Sequence, residues 1–398
     1  MVFPRDVRHD FPQGSATIAT ASAGFALGQL LRPRSKALPE YARGHNRALV
    51  LQTLYGLGGQ SRADVARATG LTRVTVSDLV AELIVEGFVI QLGQREDVRP
   101  GKPAILLDIN RGGFQIVGID LSDSGVFRGA ILDLDGQILS RSEVELENSV
   151  GQDATTKVIA LVETLLAQAT TEIIGIGIGS PGIVDLDGVV LSAPNLGWAS
   201  EPLRARVAEC FPLPVVVSND ANVALLAEHS FGNANSDIML VKIGHGMGSG
   251  LLLAGTLLFG SRFAAGEIGH VVVGTGGDEC VCGKRGCLET WLAVPRIEAR
   301  LALAVTEAEK TKILREAGER LGVALAPVVG VLNLAEIVLS GPTHLLDGPL
   351  AQATGETLRE RTMADFHGDL TLRMTTLGED IVMRGAAVMV LSRELGVS

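Results

Sequence analysis

The stretch from Gly266 to Thr290 reads GEIGHVVVGTGGDECVCGKRGCLET. The chain of 398 residues has four cysteines, and this stretch holds three of them within eight positions. With one histidine they form the set His270, Cys280, Cys282 and Cys287. Three thiolates and an imidazole on a glycine-rich loop are typical of tetrahedral zinc. Four protein ligands leave no position for a reactive water, so the pattern predicts a structural zinc site.

Two other interpretations of the cysteines stay open. They could be scattered core residues, or two of them could form a redox pair. A Cys-x-Cys pair with a third cysteine so near is hard to explain by packing. Cys210 lies apart from the cluster and is expected to be an ordinary core thiol.

Around this stretch the sequence alternates short apolar strands with helices. From Gln115, the segments QIVGIDLS, VFRGAILDLDG and QILSRSEVELE predict three strands, and a helix follows at about residues 152–169. Next come the strands IIGIGIGS and VVVSND and a helix from Ala221. The same order of strands and helices begins again at Ile238. This texture is typical of an α/β fold. We therefore predict two comparable lobes with a binding cleft between them.

The segment before this body predicts a helix-turn-helix. In SRADVARATGLTRVTVSDLVAELIVEGFV (61–89), Ser61 and Asp64 resemble a capping box, so a helix should begin there and end near Thr69. Gly70 supplies the turn, and Thr72 can cap a second helix that runs to residue 86. The buried face of that helix is predicted to be Val76, Leu79, Val80 and Leu83. Two packed helices of a larger helical domain are the alternative.

The start of the second helix carries candidate contacts to DNA. In a helix-turn-helix the second helix enters the major groove. There Arg73 can reach guanine, and Thr75 or Ser77 can reach a base edge or a phosphate. One short helix reads only a few base pairs, so DNA binding predicts a homodimer or a dimer of dimers on a palindromic operator.

A winged hairpin is predicted directly after these helices, at residues 88–110. Its loop holds Arg95, Arg99 and Lys102. A basic loop beside a recognition helix can lie along phosphates or enter a minor groove. A solvated charged loop is the alternative, because two acidic residues at 96 and 97 dilute the charge.

The motifs of the body resemble those of the ROK family, which comprises repressors, uncharacterised open reading frames and sugar kinases. GEIGH, the cysteine cluster and GCLE carry the resemblance, and GSPGIVDLDGVVLSAPNLGW (179–198) and NDANVALLAE (219–228) extend it. It implies an actin-like, two-lobed sugar-kinase domain with structural zinc at 270–287. With a winged helix-turn-helix in front, the chain resembles the xylose-repressor-like regulator branch. The expected domains are a tail (1–40), a winged helix-turn-helix (41–110) and a ROK domain (111–398).

The resemblance also implies a site that binds a sugar or a sugar derivative. The matching residues are Gly182, Asn195, Asn219, Asp220, Glu267, His270 and Glu289. Carboxylates accept hydrogen bonds from hydroxyl groups, and amides both donate and accept. The zinc would hold the loop so that Glu267, His270 and Glu289 converge, with His270 binding metal through one nitrogen and sugar through the other.

The nucleotide half of the kinase pattern is altered in this chain. Where family kinases read Asp-x-Gly-Gly-Thr, this chain has DLSDSG (120–125), and Asp123 puts negative charge where a phosphate should lie. The second loop, GHGMGSG (244–250), has His245 in place of a threonine, and Pro342 replaces a small residue. We expect a protein that binds sugar without phosphorylating it, in which Asp220 is at most a vestigial base. The alternative is a sugar kinase with a regulatory front end.

Charge and hydropathy fit a soluble regulator. The net charge is −11, but residues 1–110 carry +3 and the rest −14, so an anionic polymer should dock at the front. No apolar run reaches the roughly 18–20 residues of a membrane span. The stretch Phe11–Leu31 weakly imitates a signal peptide, but polar residues interrupt it. We expect a cytoplasmic protein that does not bind membranes.

Overall fold

The computed structural model describes residues 42–94, 104–232, 234–274, 276–363 and 370–396. The predicted tail (1–40) and the wing-loop residues Arg95, Arg99 and Lys102 lie outside the described residues. Within the described part of the chain, no helix is both long and apolar enough to cross a bilayer.

Three helices and a small sheet form the front end. The helices are α1 (Ala42–Leu57), α2 (Arg62–Thr69) and α3 (Arg73–Val85), and the strands are β1 (Gln60–Ser61), β2 (Val89–Gln94) and β3 (Ile105–Ile109). The strands pair antiparallel in the order β1-β3-β2. Ser61 and Asp64 form the predicted capping box, Gly70 has a φ of 70°, and the Thr72 hydroxyl accepts from the Thr75 N–H. The predicted winged helix-turn-helix fold is confirmed.

The N-terminal lobe is built on a five-stranded sheet of order β11-β7-β4-β5-β6. Its strands are β4 (Phe114–Asp120), β5 (Val126–Leu132), β6 (Ile138–Glu145), β7 (Glu172–Ser180) and β11 (Val215–Asn219). The lobe also contains α4 (Gln152–Leu166), β8 (Ile183–Val184), β9 (Val190–Ala193), β10 (Trp198–Glu201) and α5 (Leu203–Cys210). Cys210 is exposed, so its prediction as a core thiol was wrong. It ends a helix whose buried residues are Leu203 and Val207, and position 210 falls off that face.

The C-terminal lobe repeats this sheet in the order β14-β13-β12-β15-β16. Its strands are β12 (Ile238–Ile243), β13 (Met247–Leu253), β14 (Thr256–Leu257), β15 (Glu336–Ser340) and β16 (Thr371–Met374). In each sheet the first strand pairs antiparallel with the second and parallel with a later one. The helices are α6 (Asp220–Phe231), α7 (Glu289–Leu292), α8 (Val294–Leu303), α9 (Glu307–Leu332), α10 (Thr343–Leu346), α11 (Pro349–Arg361) and α12 (Ile381–Glu394). The predicted repeat of the strand and helix order from Ile238 is confirmed.

Two buried helices join the lobes. α12 packs on β4 and β7 of the N-terminal lobe, α6 packs on β12 and β13 of the C-terminal lobe, and the two helices pack on each other. Because α6 follows β11 directly, the chain enters this junction at Asp220. The residues at the start of α6 therefore lie where the two lobes meet.

The front end shares one hydrophobic core with the N-terminal lobe. Leu51 and Leu54 of α1 belong to the same buried cluster as Phe114 of β4 and Val390 and Leu391 of α12. Apolar burial stabilises by about 25 cal/mol per Å², so a continuous core fixes the helix-turn-helix on the body. A shift of α12 would therefore act directly on α1.

Candidate functional site

An ion pair marks the junction of the two lobes. Asp220 begins α6, and its Oδ2 lies 3.0 Å from the ammonium nitrogen of Lys242 on β12. Asp120 ends β4 and is 7% exposed. Burial disfavours the charged form of Asp120 and raises its pKa above the ordinary value. The positive charge of Lys242 opposes this shift. Acidic and basic groups from both lobes thus meet at the carboxyl end of β4, where ligands bind in open α/β folds. We call this region the interlobe site.

Asn219 organises this site from the cap of α6. Its Oδ1 accepts from the N–H groups of Ala221 and Asn222 at 3.0 and 3.1 Å. Its Nδ2 donates to the Gly182 carbonyl at 2.8 Å and to Asp220 Oδ1 at 3.2 Å. The amide therefore ties the turn after β7 to the start of α6.

Gly182 fits this turn because it lacks a side chain. It has a φ of 82°, and a Cβ there would lie 2.0 Å from the Ser192 carbonyl oxygen. The β8–β9 hairpin can therefore pack against residue 182 only if it is glycine. Asn195 lies exposed in the 3-10 turn Pro194–Leu196 that follows the hairpin.

Glu267 approaches the interlobe site from the C-terminal lobe. Its side chain is 33% exposed. Burial raises its pKa, Asp220 and Glu289 raise it further by repulsion, and His270 opposes the shift. This repulsion indicates that Asp220 and Glu289 lie near Glu267. Gly266 before it has a φ of 95°, and a Cβ there would lie 1.9 Å from the Ser249 carbonyl oxygen.

His270 connects this acidic group with the cysteine cluster. Its Nε2 lies 3.9 Å from Glu267 Oε2, and its Nδ1 lies 3.4 Å from Cys280 Sγ. One ring nitrogen thus faces the carboxylates and the other faces the thiols. Glu289, at the start of α7, accepts from the Met247 N–H through Oε2 at 3.0 Å, so its carboxylate is fixed against β13.

The four predicted metal ligands come together. One ligand atom from each of His270, Cys280, Cys282 and Cys287 lies within 4.8 Å of the other three. Cys282 Sγ and Cys287 Sγ are 3.6 Å apart. Tetrahedral zinc with Zn–S bonds of about 2.3 Å places its sulfurs about 3.8 Å apart, so the spacing fits a metal of this kind.

Ionisation of the clustered thiols would require a neighbouring cation. Burial and hydrogen bonds with Cys282 and Cys280 raise the pKa of Cys287 to about 12. Thiols this close cannot all ionise without a positive charge between them. A divalent metal would supply that charge and deprotonate them. The donor set therefore fits a structural metal, which would connect the two sides of the loop between the 3-10 turn Ile268–His270 and α7.

The two loops that the sequence analysis compared with kinase phosphate loops lie close together. Asp123 Oδ1 lies 3.8 Å from His245 Nδ1 of the second loop. Asp123 also accepts from Arg128 at 3.1 Å and from the Gly125 N–H at 2.8 Å. The hydrogen bond from Gly125 and the charges of Arg128 and His245 lower the pKa of Asp123, although burial opposes them. A charged carboxylate therefore points into the space between the loops.

The start of α3 exposes a mixed surface. Arg73 and Ser77 are exposed, as a base-reading role requires. Thr75 is half-buried, and its hydroxyl lies 2.8 Å from that of Thr72, so it serves the helix cap. Val74 is 71% exposed between Arg73 and Thr75. The sequence analysis missed Val74 because it looked for polar groups, although an apolar side chain can contact a thymine methyl group.

A sequence profile of the ROK family matches residues 116–393, which is more than half of the chain. The chain belongs to the ROK family. A solved structure described as a ROK family transcriptional regulator, homolog of E. coli MLC protein, is 26% identical, with a TM-score of 0.78. That match covers 89% of this chain and 97% of the other. The actin-like, two-lobed fold predicted from the motifs is confirmed.

Relatives of this ROK protein include both repressors and kinases. The xylose repressor of Caldicellulosiruptor bescii is 28% identical over 385 residues, covering 87% of this chain and 95% of the repressor. The glucokinase of Halalkalibacterium halodurans is also 28% identical, but covers 70% of this chain and 95% of the kinase. Since almost none of the chain follows residue 393, the repressor match must include much of the region before residue 116.

Lys242 is the other site residue that sequence reasoning missed. It lies in the segment IMLVKIG, where every neighbouring strand residue is apolar. A single lysine in a strand that both faces bury is rare unless it is paired. That signal could have identified Lys242, but its partner Asp220 lies 22 positions away and only the fold brings them together.

Proposed function

We propose that this ROK protein is a sugar-responsive transcriptional repressor of carbohydrate-metabolism genes, which binds a sugar at the interlobe site without phosphorylating it. One observation carries the proposal: the polar groups for a sugar converge at Asp220, Glu267 and Glu289, while the neighbouring phosphate loops face each other with Asp123 against His245. Hydroxyl groups suit the first arrangement, and a polyphosphate would meet the Asp123 carboxylate in the second.

DNA is the partner that fits the front end. Arg73 and Ser77 are exposed at the N-terminal end of α3, where recognition helices contact base edges. The expected operator is roughly palindromic, bound by a homodimer or a dimer of dimers. The helix-turn-helix domain (41–110) shares its core with α12. Closure of the lobes around a sugar would therefore move the two helix-turn-helix domains of a dimer relative to each other. A repressor acts on chromosomal DNA, so we place the protein in the cytoplasm.

Zinc is the metal that we assign to His270, Cys280, Cys282 and Cys287. Its role in the proposal is to hold His270 so that Nε2 faces Glu267. Gly182, Asn195 and Asn219 complete the proposed sugar site. Asn219 acts there mainly by orienting Asp220 and the Gly182 turn, because its amide already makes four hydrogen bonds.

A sugar kinase is the second candidate, and the retention of Asp220 at the position of the kinase base favours it. The two functions are separated by purified protein with Mg-ATP and a panel of hexoses and pentoses. The repressor proposal expects no sugar-dependent ATP consumption and a shift of operator affinity with one sugar of the panel. Sugar-dependent ADP formation would support the kinase instead.

A further inference from the structure

Lys242 holds an unusual position for a charged residue. It lies on β12, the central strand of the C-terminal sheet, where it pairs with Gly248 of β13 and Ser340 of β15. Val241 and Ile243 on either side of it are buried. Its side chain is 17% exposed, and a lysine this enclosed needs a partner. Its ammonium finds that partner in Asp220, at 3.0 Å.

A second carboxylate acts on the same ammonium from a greater distance. Asp120 enters from β4 of the opposite lobe and is 7% exposed. Burial by itself lowers the pKa of Lys242, but the attraction of Asp220 and Asp120 outweighs burial and raises the pKa above its ordinary value. Lys242 therefore carries its charge at neutral pH. The ammonium thus forms an ion pair with Asp220 and is also attracted by the more distant Asp120 of the other lobe.

We propose that Lys242 is a positioning residue of the interlobe site, a built-in cation that holds Asp220 in place and balances the negative charge of Asp120 and Asp220. The part that concerns sugar rests on the function proposed above. The charge balance does not depend on that function, because it follows from the ion pair and from the burial of Lys242, Asp220 and Asp120.

The geometry leaves Asp220 able to bind a ligand while it is held. Its Oδ1 accepts from Asn219 Nδ2 at 3.2 Å, and its Oδ2 faces the Lys242 ammonium at 3.0 Å. A carboxylate offers about four lone-pair sites, so each oxygen keeps one acceptor position for a hydroxyl group. The contacts with Lys242 and Asn219 thus hold Asp220 in this position.

The first test removes the ammonium and then its partner. We would compare thermal unfolding of the wild type, Lys242→Met, Asp220→Asn and the double variant in the full-length, metal-loaded protein at pH 5.5 and pH 8.0. Loss of Lys242 removes the charge that opposes the effect of burial on Asp120 and leaves the repulsion from Asp220, which raises the folded-state pKa of Asp120 further. A raised carboxyl pKa destabilises the fold more as pH rises. The deficit of Lys242→Met should therefore be greater at pH 8.0 than at pH 5.5.

The size of the effect follows from breaking one enclosed ion pair. We expect the Tm of Lys242→Met to fall by roughly 5 °C or more at pH 8.0. Adding Asp220→Asn should restore part of the loss, since it removes one of the carboxylates, and Lys242→Arg should keep most of the wild-type Tm. Asp123 also acts on Lys242, and Asp220 acts on Glu267, so both groups contribute to the pH dependence of each variant. The partial rescue by Asp220→Asn therefore identifies the ion pair, and not the pH dependence alone.

The contradicting result is also specific. If Lys242→Met loses the same Tm at both pH values and Asp220→Asn does not reduce the loss, Lys242 acts only through the packing of its aliphatic stem. Should Lys242→Met not fold at pH 8.0, a double variant that folds there supports the proposal, and a double variant that also fails contradicts it. These unfolding measurements use neither sugar nor DNA. The proposed charge balance and the repressor proposal can therefore each fail independently of the other.

A second readout concerns the sugar. D-glucose and D-xylose would be titrated calorimetrically into the wild type, Lys242→Met and Lys242→Arg. For whichever sugar binds the wild type, Lys242→Met should weaken binding about tenfold or more and Lys242→Arg much less, because Asp220 loses its anchor. Equal affinity of all three proteins would overturn the positioning role. Absence of binding to the wild type would count against the proposed sugar, and the unfolding comparison would still decide the role of Lys242.

Discussion

The hydroxyl group of Tyr55 in α1 donates a hydrogen bond of 2.7 Å to the carbonyl oxygen of Leu134, in the turn between β5 and β6. Arg111 strengthens the same contact, since its guanidinium lies 4.9 Å from the centre of the Tyr55 ring and donates to the Tyr55 carbonyl at 2.9 Å. About one turn earlier in α1, Gln52 donates to the Gly396 carbonyl just after α12. The helix that leads into the helix-turn-helix is therefore hydrogen-bonded to both the N-terminal sheet and the C-terminal helix.

Removal of the Tyr55 hydroxyl should weaken this junction. We expect Tyr55→Phe to lower the free energy of unfolding by about 0.5–1.5 kcal/mol and to reduce the sugar effect on operator binding, while DNA affinity without sugar changes little. Chemical denaturation and operator titration measure the two effects. Thr53→Ser on the same helix is the control, because its hydroxyl bonds within α1, to Leu49. A full sugar response in Tyr55→Phe would show that the signal takes another route.

The same residue predicts a dependence on alkaline pH. Burial, with repulsion from Asp135, raises the pKa of Tyr55 from 10.0 to about 12. Its folded-state pKa is thus above the unfolded value, so its stabilising contribution is complete below pH 10 and is lost as pH rises towards 12. The stability of the wild type should therefore fall relative to that of Tyr55→Phe over this window. Parallel stability curves of the two proteins from pH 9.5 to 11.5 would contradict the assignment.

Metal loss should disorder the loop that carries the acidic residues. Cys282→Ser is expected to reduce the zinc content measured by atomic emission from about one per chain to well below that, and to abolish sugar binding. Structural zinc contributes an apparent 10–16 kcal/mol in small peptides, about enough to fold such a loop. Cys210→Ser is the matched control, since Cys210 is exposed and lies outside the cluster. Unchanged zinc and unchanged sugar affinity in Cys282→Ser would refute the metal site.

Arg73 is expected to read a guanine. Arg73→Ala should weaken binding to the selected operator by about 1–3 kcal/mol and relax the preference at one base pair per half-site. In vitro selection of operators with both proteins, followed by affinity measurements, tests this. Arg204→Ala, which removes an equal charge from the body, is the control. A loss of equal size on every DNA sequence would mean that Arg73 contacts phosphate.

Local patterns in the sequence predicted much of the fold because they depend on short-range physics. The Ser61–Asp64 box and the Thr72 cap act within one helical turn, and the metal spacing lies within one loop. Contacts between residues that are far apart in the sequence were harder to predict. The Lys242–Asp220 ion pair joins two elements that only the interlobe packing of α6 brings together. The commitment of the Asn219 amide to a helix cap and to Gly182 likewise depends on the position of the β8–β9 hairpin.

The resemblance to known motifs identified the acidic residues but not their surroundings. Asp220, Glu267 and Glu289 each lie in a motif that resembles the family's, and Asp220 and Glu289 act electrostatically on Glu267. The expected DNA contact of Thr75 stays a prediction, and the sequence did not indicate that its hydroxyl lies 2.8 Å from that of Thr72. The wing loop stays a prediction, because Arg95, Arg99 and Lys102 lie outside the described residues.

The central claim is that sugar and operator binding are coupled without catalysis, and reciprocal titration tests it most directly. Operator affinity would be measured across a panel of sugars and sugar phosphates, and the affinity of the active compound with and without operator DNA. A coupling of about 1–3 kcal/mol must alter both affinities by the same factor. Asp220→Asn and Glu267→Gln should bind operator normally yet lose the response, and no ATP should be consumed. If no compound of the panel shifts operator affinity, or if the wild type consumes ATP with the sugar, the account is contradicted.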